Sequence, residues 1–262
     1  MKWWFSDYDG TINVNHNDII EQQDLEFINE WIDDGNKLVI ATGRMNHEIL
    51  GVLKQNAIPF DYLVMNNGAC VYDKSNNLIS HLTIPMAARK EIVAILTEWK
   101  ERFAMSYCIE NTRTDLTSVY TKEIEESEFL RQYAPHHNNF EAGIKDIETN
   151  KDLNIIYFYV NKGDIEEIKN RFHAIPGLKA VRTVANVIEV MNADVSKAHG
   201  IKIIEDMHNL DNANIFTSGD GENDIEMLAH TKHSFAMDTA DDVVKKTASH
   251  VIARVRDIKK YL

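Results

Sequence analysis

The first third of the chain alternates short apolar runs with segments that have helical periodicity. The apolar runs are Lys2–Ser6, Lys37–Ala41 and Tyr62–Met65, and the helical pattern covers Asp18–Asp34 and Asn46–Gln55. Continuous apolar runs of this length are typical of strands that are buried on both faces of a parallel sheet. The pattern therefore predicts strands and helices in alternation, joined by short connections.

The last third repeats the same alternation. The predicted elements are a helix at Ser196–Met207, a strand at Asn214–Thr217, a helix at Asn223–Ala229, a strand at Ser234–Met237, a helix at Asp241–Lys246 and a strand at His250–Ile252. Strand–helix alternation with short connections predicts an α/β fold with a doubly wound, Rossmann-like parallel sheet.

The middle of the chain has a different pattern. It begins with a helical stretch at Pro85–Phe103 and continues with strand-like runs at Met105–Ile109, Leu116–Tyr120, Asn154–Val160 and Val187–Met191, with a polar stretch around Pro135–Asn139. About a hundred residues are enough for a domain of their own. We therefore predict a sheet domain in two segments, residues 1–83 and 188–262, with an inserted α+β domain at residues 84–187.

Charge and hydropathy narrow the possible partners. The 262 residues include 28 Lys and Arg against 41 Asp and Glu, a formal net charge of −13, which argues against nucleic acid and against an anionic membrane surface as partners. The longest apolar run, Ile155–Val160, is far shorter than the ~20 residues that span a bilayer. Cys70 and Cys108 offer no disulfide framework and no metal-ligand spacing. We expect a cytoplasmic protein.

Polar residues follow several of the predicted buried strands. Asp7-Tyr8-Asp9-Gly10-Thr11 follows the first strand, Thr42-Gly43-Arg44 the second, Asn66-Asn67-Gly68 the third, and residues 218–224 follow the strand at Asn214–Thr217. Ligand sites of open α/β sheets lie at the carboxyl ends of the strands. We therefore expect these side chains to meet at one edge of the sheet.

Each signal has an ordinary structural interpretation when taken alone. Asp9-Gly10 is a common turn dipeptide, Thr42 could be a helix N-cap, and Lys197 could be a solvated helix residue. Together they favour one chemistry, because three converging carboxylates repel each other unless a cation lies between them. Mg²⁺ prefers such oxygen ligands, and the Thr42-Gly43 turn offers an anion site. The combination predicts a phosphoryl-transfer site.

The order of the motifs resembles the haloacid dehalogenase superfamily and, within it, the Cof-like phosphatases. The D-x-D-G-T motif stands as Asp7–Thr11, the T-G-R motif as Thr42–Arg44, the helix-opening lysine as Lys197, and the G-D-x-x-N-D motif as Gly219–Asp224. The family's Asn-Gly turn after the third strand has a match in Asn67-Gly68. The resemblance covers essentially the whole chain, with Tyr8 as a minor departure because a smaller aliphatic residue is usual there. The 155 residues between Thr42 and Lys197 leave room for the large cap domain that Cof-like members carry between these two motifs.

This resemblance implies a two-step phosphatase mechanism. Asp7 attacks the phosphorus and forms an aspartyl-phosphate, while Asp9 protonates the leaving alcohol and then acts as base for the hydrolytic water. Mg²⁺ would be held by the carboxylate of Asp7, the backbone carbonyl of Asp9 and the side chain of Asp220. The remaining roles are phosphate binding by Thr42, Gly43, Lys197 and Asn223, and orientation of the loop or of Lys197 by Asp224.

Small phosphorylated metabolites are the substrates that the resemblance implies, sugar phosphates first and cofactor phosphates second. Arg44 stands beside the phosphate site and is a candidate for binding a second anionic group. Candidates in the inserted domain for reading the leaving group are Arg113, His136, His137, Glu141, Arg182 and Asn186. We expect a monomer or a homodimer.

Two alternatives use the same residue types. A phosphomutase similar to phosphomannomutase pairs the same core with a comparable cap and releases little inorganic phosphate. A phosphate-sensing, receiver-like module also gathers Asp, Thr and Lys at sheet ends. Its phosphorylated aspartate ends a middle strand, however, whereas Asp7 ends the first, and a receiver has no place for the hundred-residue insert.

Overall fold

The computed structural model describes residues 1–117, 119, 139–184 and 186–262. Within these ranges the chain forms two compact units, Met1–His81 with Ser196–Leu262, and Leu82–Val195. Among the described residues, no helix has the length and apolar character that crossing a membrane requires.

The first unit is built on an eight-stranded sheet in the order β13-β12-β11-β1-β2-β3-β4-β5. The strands from β13 to β3 in this order are parallel, and β4 and β5 extend the sheet in antiparallel fashion. The strands are β1 (Trp3–Ser6), β2 (Lys37–Ala41), β3 (Tyr62–Met65), β4 (Cys70–Asp73), β5 (Leu78–His81), β11 (Ile215–Gly219), β12 (His233–Met237) and β13 (His250–Ile252). The predicted doubly wound α/β sheet is confirmed, and the β4–β5 hairpin is an addition to the prediction.

Helices flank this sheet. They are α1 (Gln22–Asp33), α2 (Asn46–Gln55), α6 (Lys197–His208), α7 (Ile225–Ala229) and α8 (Asp242–Thr247), and a 3₁₀ helix at Val255–Tyr261 follows the last strand. β1 is buried on both faces because its side chains alternate between two apolar layers. Trp3 and Phe5 join one layer, and Trp4 packs against Trp31 on the other with ring centroids 5.9 Å apart.

The second unit contains a five-stranded antiparallel sheet in the order β7-β6-β8-β10-β9. Its strands are β6 (Ala104–Ile109), β7 (Thr112–Thr117), β8 (Leu153–Tyr159), β9 (Leu178–Val184) and β10 (Val187–Asn192), and its helices are α3 (Arg89–Trp99), α4 (Phe140–Thr149) and α5 (Ile165–His173). An apolar core of residues from these helices and strands, including Trp99, Phe158 and Phe172, holds the unit together. The inserted α+β domain thus consists of helices packed on a five-stranded sheet of its own.

The limits of this unit differ from those predicted from sequence. The prediction placed the second boundary after residue 187, whereas Val187–Met191 pairs with β8 and residues up to Asn192 pair with β9, inside the five-stranded sheet. The run Val187–Met191, which the pattern placed with the middle of the chain, thus belongs to the inserted unit, and the predicted boundary at residue 187 cuts it off. The predicted strand at Leu116–Tyr120 corresponds to β7, which begins four residues earlier and is described only to Thr117.

Candidate active site

Asp7 lies directly after β1, where the end of this strand is fixed to β11. Its backbone N–H donates to the carbonyl oxygen of Ser218 at 2.9 Å, and the hydroxyls of Ser6 and Ser218 lie 2.8 Å apart. The Asp7 side chain is almost fully buried. The first motif therefore starts from a rigid position in the middle of the sheet.

Gly10 allows the first and fourth motifs to approach each other closely. Its φ of 83° is in the left-handed region, and a Cβ at this position would lie 2.2 Å from Oδ2 of Asp220. The neighbouring hydroxyl of Thr11 donates to Oδ1 of Asp220 at 3.0 Å. Any side chain at position 10 would push Asp220 away from Asp7.

Lys197 is the first residue of α6, and its side chain reaches into the sheet end. Ser196 caps the helix by accepting the backbone N–H of His199 at 3.0 Å. The Lys197 ammonium donates to Oδ1 of Asp7 and to Oδ1 of Asp224, at 2.6 Å in both cases, and the side chain is only 1% exposed. The interpretation of Lys197 as a solvated helix lysine is therefore wrong.

Asp224 connects this lysine to its own loop. While Oδ1 accepts from Lys197, Oδ2 accepts the backbone N–H groups of Asp220 at 3.0 Å and Gly221 at 2.9 Å. Both oxygens of Asp224 therefore accept hydrogen bonds, one from Lys197 and the other from the loop that carries Asp220.

Burial dominates the electrostatics of this cluster. Burial raises the pKa of Asp7 well above its ordinary value; the charge of Lys197 opposes this shift, and the charges of Asp224 and Asp220 add to it. Burial likewise raises the pKa of Asp220, and Asp224 raises it further. Burial lowers the pKa of Lys197, but the two carboxylates outweigh this effect and the net shift is upward, so the lysine stays charged.

A divalent cation fits this donor set. Asp7, Asp220 and Asp224 each place one carboxylate oxygen within 4.8 Å of the others. Burial and the neighbouring carboxylates raise the pKa of Asp7 and of Asp220, and a bound cation would oppose both effects. All three carboxylates are therefore candidate ligands for a divalent cation.

The carboxylate of Asp9 is held by an arginine. Nε of Arg44 donates to Oδ2 of Asp9 and Nη2 donates to Oδ1, both at 2.6 Å, and Nδ2 of Asn13 donates to Oδ1 at 3.0 Å. Arg44 thus contacts both oxygens of the Asp9 carboxylate. Nothing in the sequence indicates this contact.

Arg44 binds a second carboxylate, that of Asp18, at 2.8 Å from Nη2 and 3.3 Å from Nη1, and its guanidinium lies 5.0 Å from the ring centroid of Tyr8. Burial lowers the pKa of Arg44, but the hydrogen bonds to Asp9 and Asp18 outweigh it and the net shift is upward. Its charge is therefore already matched by two carboxylates, unlike the expectation that it would be available for a second anionic group. Asp18 has a φ of 58° and lies in an irregular loop. The sequence of this loop matches no motif.

Thr42 and Gly43 form a tight turn after β2. The backbone N–H of Thr42 donates to Val64 at 2.8 Å, and its hydroxyl oxygen accepts the N–H of Arg44 at 3.1 Å. Because α2 begins only at Asn46, Thr42 is not its N-cap.

Asn223, in the fourth motif, donates from Nδ2 to Oδ1 of Asn67 at 2.9 Å. Sequence reasoning gave Asn67 no role of its own beyond a turn that matches the family.

The candidates for reading the leaving group belong to the second unit. Arg113 is on β7 with its guanidinium 5.8 Å from the ring centroid of Tyr157, Glu141 is exposed on α4, and Arg182 is on β9. The carbonyl oxygen of Asn186 accepts from the N–H of Val160. His136 and His137 lie outside the described residues, and the role of all six stays a prediction.

Comparison with known proteins agrees with this geometry. The model of the haloacid dehalogenase-like hydrolase family matches residues 4–259. A Bacillus subtilis protein named 5-amino-6-(5-phospho-D-ribitylamino)uracil phosphatase YwtE is 23% identical over 96% of this chain and 92% of its own length.

Solved structures share the fold over the full chain. BT1666 from Bacteroides thetaiotaomicron, a phosphatase of this superfamily, is 24% identical with a TM-score of 0.81, and the match covers 100% of this chain and 92% of that one. The subclass IIB sugar phosphatase BT4131 is 22% identical with a TM-score of 0.80, and the match covers 100% of this chain and 98% of that one.

The chain therefore belongs to the haloacid dehalogenase-like hydrolase family. Within it, the chain is a phosphatase of the Cof-like type, that is, a phosphoric monoester hydrolase with an inserted cap domain.

Proposed function

We propose that this protein is a Mg²⁺-dependent phosphatase that hydrolyses phosphate monoesters of small metabolites through an aspartyl-phosphate on Asp7. The observation that carries the proposal is the buried arrangement of Asp7, Lys197 and Asp224, with Asp220 beside it. In this arrangement Lys197 positions the Asp7 carboxylate and offsets charge as a phosphate dianion approaches, and a bound Mg²⁺ would add positive charge beside the other carboxylates.

In the first step an Asp7 oxygen forms a bond to phosphorus while the bond between phosphorus and the leaving oxygen breaks. The leaving oxygen takes a proton from the carboxyl group of Asp9. In the second step water attacks the phosphorus of the aspartyl-phosphate, Asp9 accepts the water proton, and inorganic phosphate and the free Asp7 carboxylate are released.

Asp9 must change its partner during this cycle. Both oxygens of its carboxylate accept hydrogen bonds from Arg44, so in this arrangement Asp9 presents no O–H group to the leaving oxygen. The proposed acid role therefore requires Asp9 to leave Arg44, and Asp18 keeps the arginine paired when it does.

Lys197 and the turn residues surround the phosphate in this proposal. Thr42, Gly43 and Asn223 bind its oxygens, and the ammonium of Lys197 offsets charge as the dianion approaches Asp7. The carboxylates of Asp7 and Asp220 and the backbone carbonyl of Asp9 would hold Mg²⁺, which supplies further charge neutralisation when it is bound.

The substrate class that we propose is a phosphate ester on a polyhydroxylated carbon chain. The named substrate of the YwtE relative carries a phosphorylated ribityl chain, and BT4131 is named a sugar phosphatase. Both describe polyhydroxylated phosphates, which polar side chains of an inserted domain can distinguish by hydrogen bonding.

Phosphate release from p-nitrophenyl phosphate and a panel of sugar and polyol phosphates tests the proposal, with Mg²⁺ and with EDTA. We expect release that stops with EDTA and returns with added Mg²⁺, and we expect Asp7→Asn to abolish it because the nucleophile is lost. Asp24→Asn is a matched control: Asp24 is a buried aspartate of the same unit that pairs with Arg256 at 3.1 Å, outside the candidate site. This control should keep activity close to that of the wild type.

Wild-type turnover in Asp7→Asn would exclude Asp7 as the nucleophile. A rate that is independent of metal would exclude the Mg²⁺ site. Isomerised sugar phosphate with little inorganic phosphate would identify a mutase instead.

A further inference from the structure

The turn between β3 and β4 has an unusual backbone. Asn66, Asn67 and Gly68 have φ values of 52°, 56° and 101°, so three consecutive residues are in the left-handed region. Non-glycine residues are unfavourable there, and such conformations persist where the surrounding structure fixes them. The contacts of this turn show what fixes it.

The backbone of the turn is attached to the Thr42–Arg44 turn. The N–H of Asn67 donates to the carbonyl oxygen of Thr42 at 3.1 Å, and the N–H of Asn66 donates to that of Arg44 at 3.3 Å. These two bonds join the loop after β3 to the proposed phosphate-binding loop after β2.

The side chain of Asn67 then connects that loop to the fourth motif. Its Oδ1 accepts from Nδ2 of Asn223 at 2.9 Å, and its amide covers Gly43, where a Cβ would lie 3.2 Å from Oδ1 and 3.4 Å from Nδ2. Asn67 is 4% exposed. One buried amide is thus in contact with Gly43 and Asn223, two of the groups proposed to bind phosphate.

Gly68 brings the same turn against the start of α6. A Cβ on Gly68 would lie 1.9 Å from the carbonyl oxygen of Ser196, the N-cap residue that precedes Lys197. The turn therefore touches all three chain segments that carry proposed phosphate-binding groups, although these segments are far apart in sequence.

We propose that Asn67 is a positioning residue of the phosphate subsite. By holding the Asn223 amide against the Thr42–Gly43 turn, it sets the spacing between the phosphate-binding groups on the two sides of the site. The inference rests on the proposed function, since it takes Thr42, Gly43 and Asn223 as the phosphate-binding groups.

The test is calorimetric binding of inorganic phosphate in the presence of Mg²⁺ to the wild-type protein, Asn67→Gly and Asn66→Gly. Glycine adopts the left-handed backbone without strain, so each variant removes only an amide side chain. Asn66 is a matched control in the same turn, and its amide contacts Sγ of Cys70 at 3.9 Å. We expect the dissociation constant of phosphate to rise about tenfold in Asn67→Gly, the size of effect that one lost hydrogen bond produces. In Asn66→Gly it should stay near the wild-type value.

A double-mutant cycle with Asn223→Ala separates positioning from a direct or purely structural role. If Asn67 acts through Asn223, Asn67→Gly weakens phosphate binding much less in the Asn223→Ala background than in the wild type. In turnover assays the same variant should raise KM more than it lowers kcat. Asn67→Ser, whose side chain is too short to reach Asn223, gives the same expectation should Asn67→Gly fail to fold.

Unchanged phosphate affinity in Asn67→Gly, or an equal loss in both backgrounds, would overturn the inference, even in a protein that hydrolyses phosphate esters. Weakened phosphate binding in a protein that hydrolyses no ester would support the positioning role and reject the proposed reaction. A wild-type protein that binds no phosphate would reject both.

Discussion

Among the described residues, each compact unit buries one long cationic side chain, and the hydrogen-bond acceptors around the two differ. Lys197 in the first unit is 1% exposed and donates to two carboxylates, those of Asp7 and Asp224. Arg89 in the second unit is 2% exposed, and its guanidinium donates to the backbone carbonyl oxygens of Ile84, Ile147 and Leu153, at distances between 2.7 and 3.4 Å.

The two arrangements suit different roles. In the proposed reaction the charge of Lys197, shared between two carboxylates, offsets charge as phosphate meets Asp7, whereas the carbonyl groups around Arg89 join segments of the chain. Burial lowers the pKa of Arg89 to about 10, so it is still charged at neutral pH. Its three acceptors join the beginning of the inserted unit to the end region of α4 and to the start of β8.

The largest expected effect is that of Lys197→Met on turnover. Removing an electrostatic group of this kind typically lowers kcat by about 10²–10³-fold. The variant also leaves Asp7 and Asp224 buried without a cation, and breaking a buried pair typically costs about 3–5 kcal/mol of stability. Phosphate release and urea unfolding measure the two effects.

Lys202→Met is the control for this variant, because Lys202 is an exposed residue of the same helix. It should change neither quantity appreciably. Wild-type turnover in Lys197→Met would show that Lys197, like Arg89, has no part in the reaction.

Arg89→Met should affect stability and not chemistry. It removes the side-chain donor from the buried carbonyl oxygens of Ile84 and Ile147, whereas that of Leu153 still accepts from the backbone N–H of Ile84 at 2.9 Å. Each buried polar group left unsatisfied costs about 1–3 kcal/mol. We expect a loss of about 2–4 kcal/mol in the free energy of unfolding, read by urea denaturation. At temperatures where the protein stays folded, kcat should match the wild type.

Arg171→Met provides the comparison, since Arg171 is half exposed and pairs with Glu98 at 3.0 Å on the surface of the same unit. An exposed pair is worth about 0–1 kcal/mol, so little change is expected. A drop in kcat for folded Arg89→Met would give this arginine a part in the reaction.

The smallest expected effect is on the pH dependence of stability, and we expect it for the carboxylates around Lys197 and not for Arg89. Because the pKa of Asp220 is raised in the folded protein, the native state binds more protons than the unfolded chain above pH ~4, the unfolded pKa. The contribution of Asp220 to stability therefore falls as pH rises from the unfolded towards the folded pKa.

Urea unfolding in EDTA from pH 5 to 8 checks this sign. The stability of the wild type relative to Asp220→Asn should be highest at the acid end and should decline with pH. The difference between wild type and Arg89→Met should stay flat, because Arg89 releases no proton in this range. A wild-type advantage over Asp220→Asn that grows with pH would contradict the raised pKa.

The sequence predicted the first unit well because its signals are local. β2 and α2 have the predicted limits, Lys37–Ala41 and Asn46–Gln55, because an uninterrupted apolar run and a 3.6-residue period lie between polar turns. The order of the motifs also indicated which residues would meet, and the structure brings Asp7, Lys197, Asp220 and Asp224 together.

Features that depend on the packing of distant segments could not be predicted. Nothing in the sequence around Arg89 indicates that three carbonyl groups will surround it, and the pairing of Arg44 with Asp18 depends on a loop without a recognised motif. The β4–β5 hairpin follows an Asn-Gly turn that had been matched only to a family motif. These contacts arise from backbone geometry, which residue types alone do not specify.

The position of β1 between β2 and β11 has a consequence for synthesis of the chain. β2 follows β1 closely along the polypeptide, but β11 is made only after the whole inserted unit, residues 82–195. During synthesis on the ribosome, the edge of β1 that later pairs with β11 therefore stays unpaired while more than a hundred further residues are translated. Over the same period Asp7, the candidate nucleophile, has no Lys197 beside it. The residues of the inserted unit are contiguous, so all of its strands have been synthesised before β11 can complete the parallel sheet.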